Sequence, residues 1–107
     1  GEGGELREGF DTVVSRAVAS LPVLCELCLP LVRVGGSFIA MKGPSGREEL
    51  AASGSAIEKL GGAFSAEHET IIRLGEHLCH PLFVIEKCGH TPTQYPRQFS
   101  KIAKRPL

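Results

Sequence analysis

Cys25 and Cys28, three residues apart in LPVLCELCLPLV, are the first side chains of this sequence whose spacing suits chemistry. A pair of this kind can hold zinc from a tight polar turn with a second pair close by. It can also run thiol redox chemistry from a helix N-terminus that lowers the first thiol's pKa. The surroundings of this pair fit neither. Only Glu26 and Arg33 are charged between Leu21 and Val34. The remaining candidate ligands, Cys79, His80, Cys88 and His90, lie about fifty residues on and straddle an expected strand, a spacing that matches no familiar finger or ribbon. The pair therefore reads as small hydrophobes inside a core helix, and no metal is expected.

The chemistry must then sit elsewhere. Arg16 follows FDTVVS and Lys42 follows SFIAM. In an open parallel sheet, ligands bind outside the carboxyl ends of the strands, which makes both residues candidate ligand contacts. The plainer alternative stands beside this: Arg16 as a solvated ion-pair partner, and Lys42 as a water-facing lysine before Gly43-Pro44. GPSG (43–46) lacks the GK[ST] ending of a phosphate loop and reads as a turn. His68 falls on the wet face of an expected strand, as an ordinary surface histidine. No paired carboxylates, nucleophile elbow or Ser/His/Asp set is spaced for catalysis, so no catalytic residue is singled out. The tail sets Tyr95 and Phe99 among Arg97, Lys101, Lys104 and Arg105. That mixture suits stacking and phosphate contact with single-stranded RNA. It equally suits a solubilising end.

The elements that would position these residues follow from pattern. The chain has 107 residues, 42% of them hydrophobic, with 12 basic and 12 acidic side chains, which fits one small unit with a modest core. Its longest apolar run is broken by Glu26, well short of the roughly 20 residues of a membrane span. Net charge hides an asymmetry, since acids crowd the first eleven residues and the last nineteen have none. The start at Gly1, with no initiator Met and no secretory pattern, reads as a fragment of a longer cytosolic chain.

FDTVVSRA (10–17) predicts a strand. A helix capped by Ser20, with Pro22 in its first turn, then runs through the opening stretch, weakens at Pro30 and stops before Gly35-Gly36. SFIAMK (37–42) predicts a strand buried on both faces. Ser45 and Glu48 match a capping box for a second helix that ends at Gly61-Gly62, with Leu50, Ile57 and Leu60 inward and Gly54 weakening its middle. Residues 63–74 predict an outer strand and 81–87 an inner one. Alternating strands and helices imply parallel pairing with right-handed crossovers, and the short last connection implies an antiparallel end. Residues 1–88 form the expected folded body, and 89–107 a basic, proline-containing tail without a regular element.

FDTVVSRAVASLPVLCELCLPLVRVGGSFIAMKG, LGGAFSAEHE and FVIEKCGHTPTQYPR with a final KRPL together resemble the C-terminal half of the bacterial small-subunit ribosomal RNA guanine-N7 methyltransferase family, also called glucose-inhibited division protein B. SRAVASL, AMKG and the TPTQYPR…KRPL tail are the most specific parts. The resemblance implies an α/β chain, the C-terminal half of a Rossmann-like class I methyltransferase sheet whose last strand pair is antiparallel. It implies S-adenosyl-L-methionine as cofactor. It also implies 16S ribosomal RNA, naked or in an assembling small subunit, as substrate, and a cytoplasmic, monomeric parent with no membrane association. The family's cofactor-contacting arginine falls on Arg16, and the lysine of its LKG motif on Lys42. His80 stands where the family usually has an arginine before its last strand, and histidine is shorter and mostly neutral at pH 7. Lys42, His80, Arg97, Lys101, Lys104 and Arg105 are the candidate RNA contacts. On this reading the isolated chain is inactive. Two alternatives are a non-catalytic RNA-binding module working through the basic tail, and a zinc-dependent interaction domain built on the cysteines.

Overall fold

The computed structural model describes residues 7–16, 20–41, 46–73 and 77–107, with 68–73 and 77–81 as backbone. Strand β1 (Phe10–Ser15) leads into helix α1 (Leu21–Cys28), a 3₁₀ turn (Leu29–Leu31) and strand β2 (Val32–Met41). Helices α2 (Gly46–Ala52) and α3 (Gly54–Lys59) precede the long strands β3 (Gly62–Arg73) and β4 (His77–Lys87), and helix α4 (Phe99–Lys104) lies near the end of the chain.

The sheet order is β1-β2-β4-β3. β1 and β2 are parallel, and β4 is antiparallel to both β2 and β3. The antiparallel end expected from the short last connection is present, and β4 inserts between β2 and β3 to make it. Close approach of β1 to β2 depends on Gly36, where a Cβ would collide with the Asp11 carbonyl.

The first helix is shorter than its apolar pattern predicts. Pro30 offers no amide hydrogen, and its ring opposes the carbonyl four residues back, so the helix tightens into the 3₁₀ turn. The β-branched Val32 and Val34 then extend as the start of β2, five residues before the expected Ser37. The second helix divides at Ser53 and Gly54. The Ser53 hydroxyl donates back to the Glu49 carbonyl, a local bond that competes with the helix ladder, and Gly54 lowers the cost of the break. Its inward residues are as expected: Ile57 and Leu60 are buried and Leu50 is packed against them. The capping serine, Ser45, lies outside the described residues.

Leu21, Leu24, Cys25 and Leu29 meet Phe38 and Ala40 of β2, Ile57 and Leu60 of the α3 region, and Phe83 and Ile85 of β4 in one cluster. The helices thus cover one face of the sheet. The expectation that β2 is buried on both faces is corrected here, because Ile39 and Met41 on its other face are only half-buried, as are Leu82 and Val84 of β4. β1 stands at an edge of the sheet with Phe10 44% and Val14 59% exposed. The tail, expected to be irregular, forms α4, with Ile102 fully buried beneath it.

An unpaired strand edge beside a half-covered apolar face is a template for association. We expect the isolated chain to self-associate in sedimentation runs at rising concentration, and Val14→Lys to reduce the effect. A monomeric chain with a sharp, concentration-independent melt would contradict this.

Candidate functional site

Parallel pairing brings the carboxyl ends of β1 and β2 to one edge of the sheet. Ser15 aligns with Ala40, so Arg16 follows beside Met41. Arg16 is exposed. It has no ion-pair partner among the described residues, which leaves a planar five-donor fork able to take a carboxylate or phosphate. Lys42 lies outside the described residues. α1 begins at this same edge, where the Leu21 amide donates to Glu49 Oε1 at 2.7 Å. That carboxylate, in the first turn of α2, serves the start of a different helix. An open groove of about 410 Å³ lies elsewhere, lined by Leu50, Ile57 and Phe64 among others, at the amino end of β3. Among the described residues Glu58 is the one titratable group that lines it, and the described lining is otherwise apolar or glycine.

Two polar clusters brace the opposite end of the sheet and the tail. In the first, the Lys87 ammonium is fully buried and donates to the Leu29 carbonyl at 2.7 Å and the Val32 carbonyl at 2.8 Å. Its third partner is Glu8 Oε2 at 3.0 Å. Glu8 also accepts from the Thr91 amide at 3.0 Å and meets His90 Nδ1 at 2.9 Å. Burial raises the Glu8 carboxyl, but the hydrogen bonds from His90, Thr91 and Lys87 outweigh it and bring the pKa down to about 2. Burial also pushes the Lys87 ammonium below its ordinary value, against the pull of Glu8. Arg7 completes the brace by donating to the carbonyls of Tyr95, Thr91 and Pro92.

In the second cluster, fully buried Glu26 of α1 takes the Arg97 amide at 2.8 Å and the Arg97 guanidinium at 2.6 Å. Desolvation raises this carboxyl too, and again the charged hydrogen bonds win and hold it below its usual value. Arg97 Nη2 also donates to the Arg105 carbonyl at 2.9 Å, satisfying a group at the end of α4 that has no helical partner.

Of the residues singled out from sequence, Arg97 is therefore committed to Glu26 and the tail. Lys101, Lys104 and Arg105 are exposed. The His80 backbone pairs with Thr70 inside the sheet, and its side chain is outside the described residues, as is that of His68. Tyr95 packs against the core, so Phe99, 61% exposed, is the tail's open ring. Cys25 is fully buried, and burial pushes the Cys28 thiol up to about 11, the reverse of a thiolate poised for redox or metal chemistry. Sequence reasoning passed over Glu8, Glu26 and Lys87. The signal for Glu26 was present, since a lone acid in an apolar helix demands a buried partner.

A parallel β-α-β pair, closed by an inserted antiparallel strand and covered by helices on one face, is the C-terminal half of a Rossmann-like class I methyltransferase sheet. The family model described as rRNA small subunit methyltransferase G, GidB, matches residues 2–76. Curated relatives bearing the name ribosomal RNA small subunit methyltransferase G agree over a longer span. The chain is 50% identical to the one from Clostridium tetani over 103 residues, 96% of this chain and 43% of that protein. For Clostridium kluyveri the identity is 49% over 104 residues, 96% of this chain and 42% of the relative. For Halalkalibacterium halodurans it is 46% over 103 residues, 96% and 43%. The chain belongs to the GidB family of small-subunit rRNA methyltransferases, and it spans less than half the length of the curated relatives it matches.

Both polar clusters should be visible in stability measurements. Arg97→Ala strands a buried carboxylate, and we expect it to lower the unfolding free energy by about 3 kcal/mol in urea titrations. Glu8 and Glu26 have depressed pKa values in the folded chain, so their contribution is complete above the ordinary value of 4.5 and fades as pH falls below it, for Glu8 toward about 2. Unfolding free energies measured across that window should drop, and Glu8→Gln should flatten the fall. An unchanged slope in Glu8→Gln would show that Glu8 is not the titrating group.

Proposed function

We propose that this chain is the C-terminal part of an S-adenosyl-L-methionine-dependent enzyme that methylates N7 of a guanine in 16S ribosomal RNA, acting in the cytoplasm. The observation that carries this reading is identity near one half over almost the whole chain to small-subunit rRNA methyltransferases. The sheet order supports it, because β1 and β2 end together at the edge where such folds bind ligands.

The residues present fit part of a cofactor site. Arg16 is an exposed guanidinium just past the carboxyl end of β1, with no ion-pair partner among the described residues, and is suited to the cofactor's oxygen groups. Lys42, at the end of β2 in sequence, would hold cofactor or RNA phosphate oxygens. The remaining contacts belong to the length that the relatives have beyond this match. The cofactor supplies an electrophilic methyl group on a sulfonium centre. Guanine N7 already carries an in-plane lone pair, so attack needs alignment of the reacting atoms and no general base. This agrees with the sequence, in which no acid–base pair is spaced for catalysis. Positive charge passes to the base during the transfer, so a cation beside N7 would oppose it. Arg16 and Lys42 therefore act on oxygens and position the reactants.

The test is transfer of labelled methyl to small-subunit rRNA by this chain alone, and by this chain spliced onto the remaining part of the Clostridium tetani relative. We expect label on guanine N7 with the spliced protein and none with the chain alone. Arg16→Ala in the spliced protein should raise KM for the cofactor roughly tenfold, the loss of about one charged hydrogen bond. No label from a folded spliced protein that still binds RNA would replace this reading with a non-catalytic RNA-binding module.

A further inference from the structure

We propose that the outer face of α4, formed by Lys101, Lys104 and Arg105, is a docking surface for the phosphodiester backbone of RNA, held in place by the Arg97–Glu26 pair. This rests on the reading above that the parent enzyme acts on RNA, and adds where and how the strand is held. Lys101 and Lys104 lie three positions apart on α4 and so share one side of the helix, with Arg105 following directly as its C-cap, while Ile102 is buried. All three are exposed, and none has an ion-pair partner among the described residues. No acidic residue follows Glu86, so nothing nearby in the sequence neutralises them. Crowded like charge is unfavourable unless a polyanion meets it, and each phosphate contact releases a condensed counterion.

A solubilising tail could carry the same charges, but it would have no reason to be fixed. This one is fixed three times over. Ile102 is fully buried, Arg97 binds buried Glu26 on α1, and the same guanidinium takes the Arg105 carbonyl at the end of α4. Arg97 is therefore the anchor that orders the surface, and its charge is already spent on Glu26. A helix of only six residues does not persist by itself in water, so the tertiary contacts are what give the three cations a common direction.

The test compares RNA affinity at several salt concentrations for the full 107-residue chain and for the spliced enzyme. The variants are Lys101→Gln/Lys104→Gln/Arg105→Gln together, Lys104→Gln alone, and Lys59→Gln as an exposed cation on α3. Three lost phosphate contacts on a single strand should reduce the slope of log K against log salt by about 2, one contact by about 0.7, and Lys59→Gln should leave it unchanged. KM for RNA should rise in the triple variant, and by less in Lys104→Gln alone. A wild-type slope in the triple variant, with methyl transfer intact, overturns the surface and leaves the enzyme reading standing. A reduced slope in a spliced protein that transfers no methyl does the opposite. Loss of binding to anionic vesicles without loss of RNA affinity would assign the face to a lipid surface and overturn the proposal.

Discussion

Lys87 ends β4 at the place where α1 finishes and β2 begins, and its buried ammonium ties these elements together. Its donors go to the last carbonyls around the 3₁₀ turn and to Glu8, which stands just before β1. A buried cation is tolerated only when every proton finds an acceptor, and here three acceptors meet three protons. The requirement is geometric as well as energetic. If β4 were shifted by one residue, the ammonium would point to the other face of the sheet and Glu8 would lose its partner. The pair thus specifies the register of the inserted strand at the end of the sheet where the helices turn back.

The same cluster governs the tail. Glu8 holds His90 and Thr91, Arg7 takes three carbonyls between Thr91 and Tyr95, and the Thr91 hydroxyl donates to the Leu60 carbonyl. The chain leaving β4 is therefore directed along the helical face to Glu26, where Arg97 secures it. These locks sit at the amino ends of β1 and β2, or on the helices, and none occupies the carboxyl edge that carries Arg16. Rigidity at one end with open polar groups at the other is the division expected of an α/β sheet that binds its ligands at its strand ends.

What the described chain leaves uncovered is informative in the same terms. The edge of β1 and the second face of the sheet, with Ile39, Met41, Leu82 and Val84 half-buried, expose apolar surface that a small unit with a modest core can ill spare. Relatives more than twice as long have the additional length that could cover both. The family match and the uncovered surface are independent observations that agree.

Much of this was written locally. The β-branched centre of FDTVVS and the continuous run in PLFVIEK define strands by composition, Gly61-Gly62 ends a helix, and the order of elements implies parallel pairing with an antiparallel close. Arg16 could be placed at a strand end from the sequence, because strand ends are local features. The fate of the other polar residues could not be read that way. Arg97 has the sequence context of an RNA contact, yet its partner Glu26 lies 71 positions away, and Glu8 and Lys87 are farther apart still. Short-range periodicity carries no information about such pairs. The sequence by itself determined which segments extend, which coil and where a ligand edge would lie. Only the tertiary structure decided where β4 inserts, which face is covered and which charges are neutralised by one another, because those outcomes depend on groups that meet only after the chain has folded back on itself.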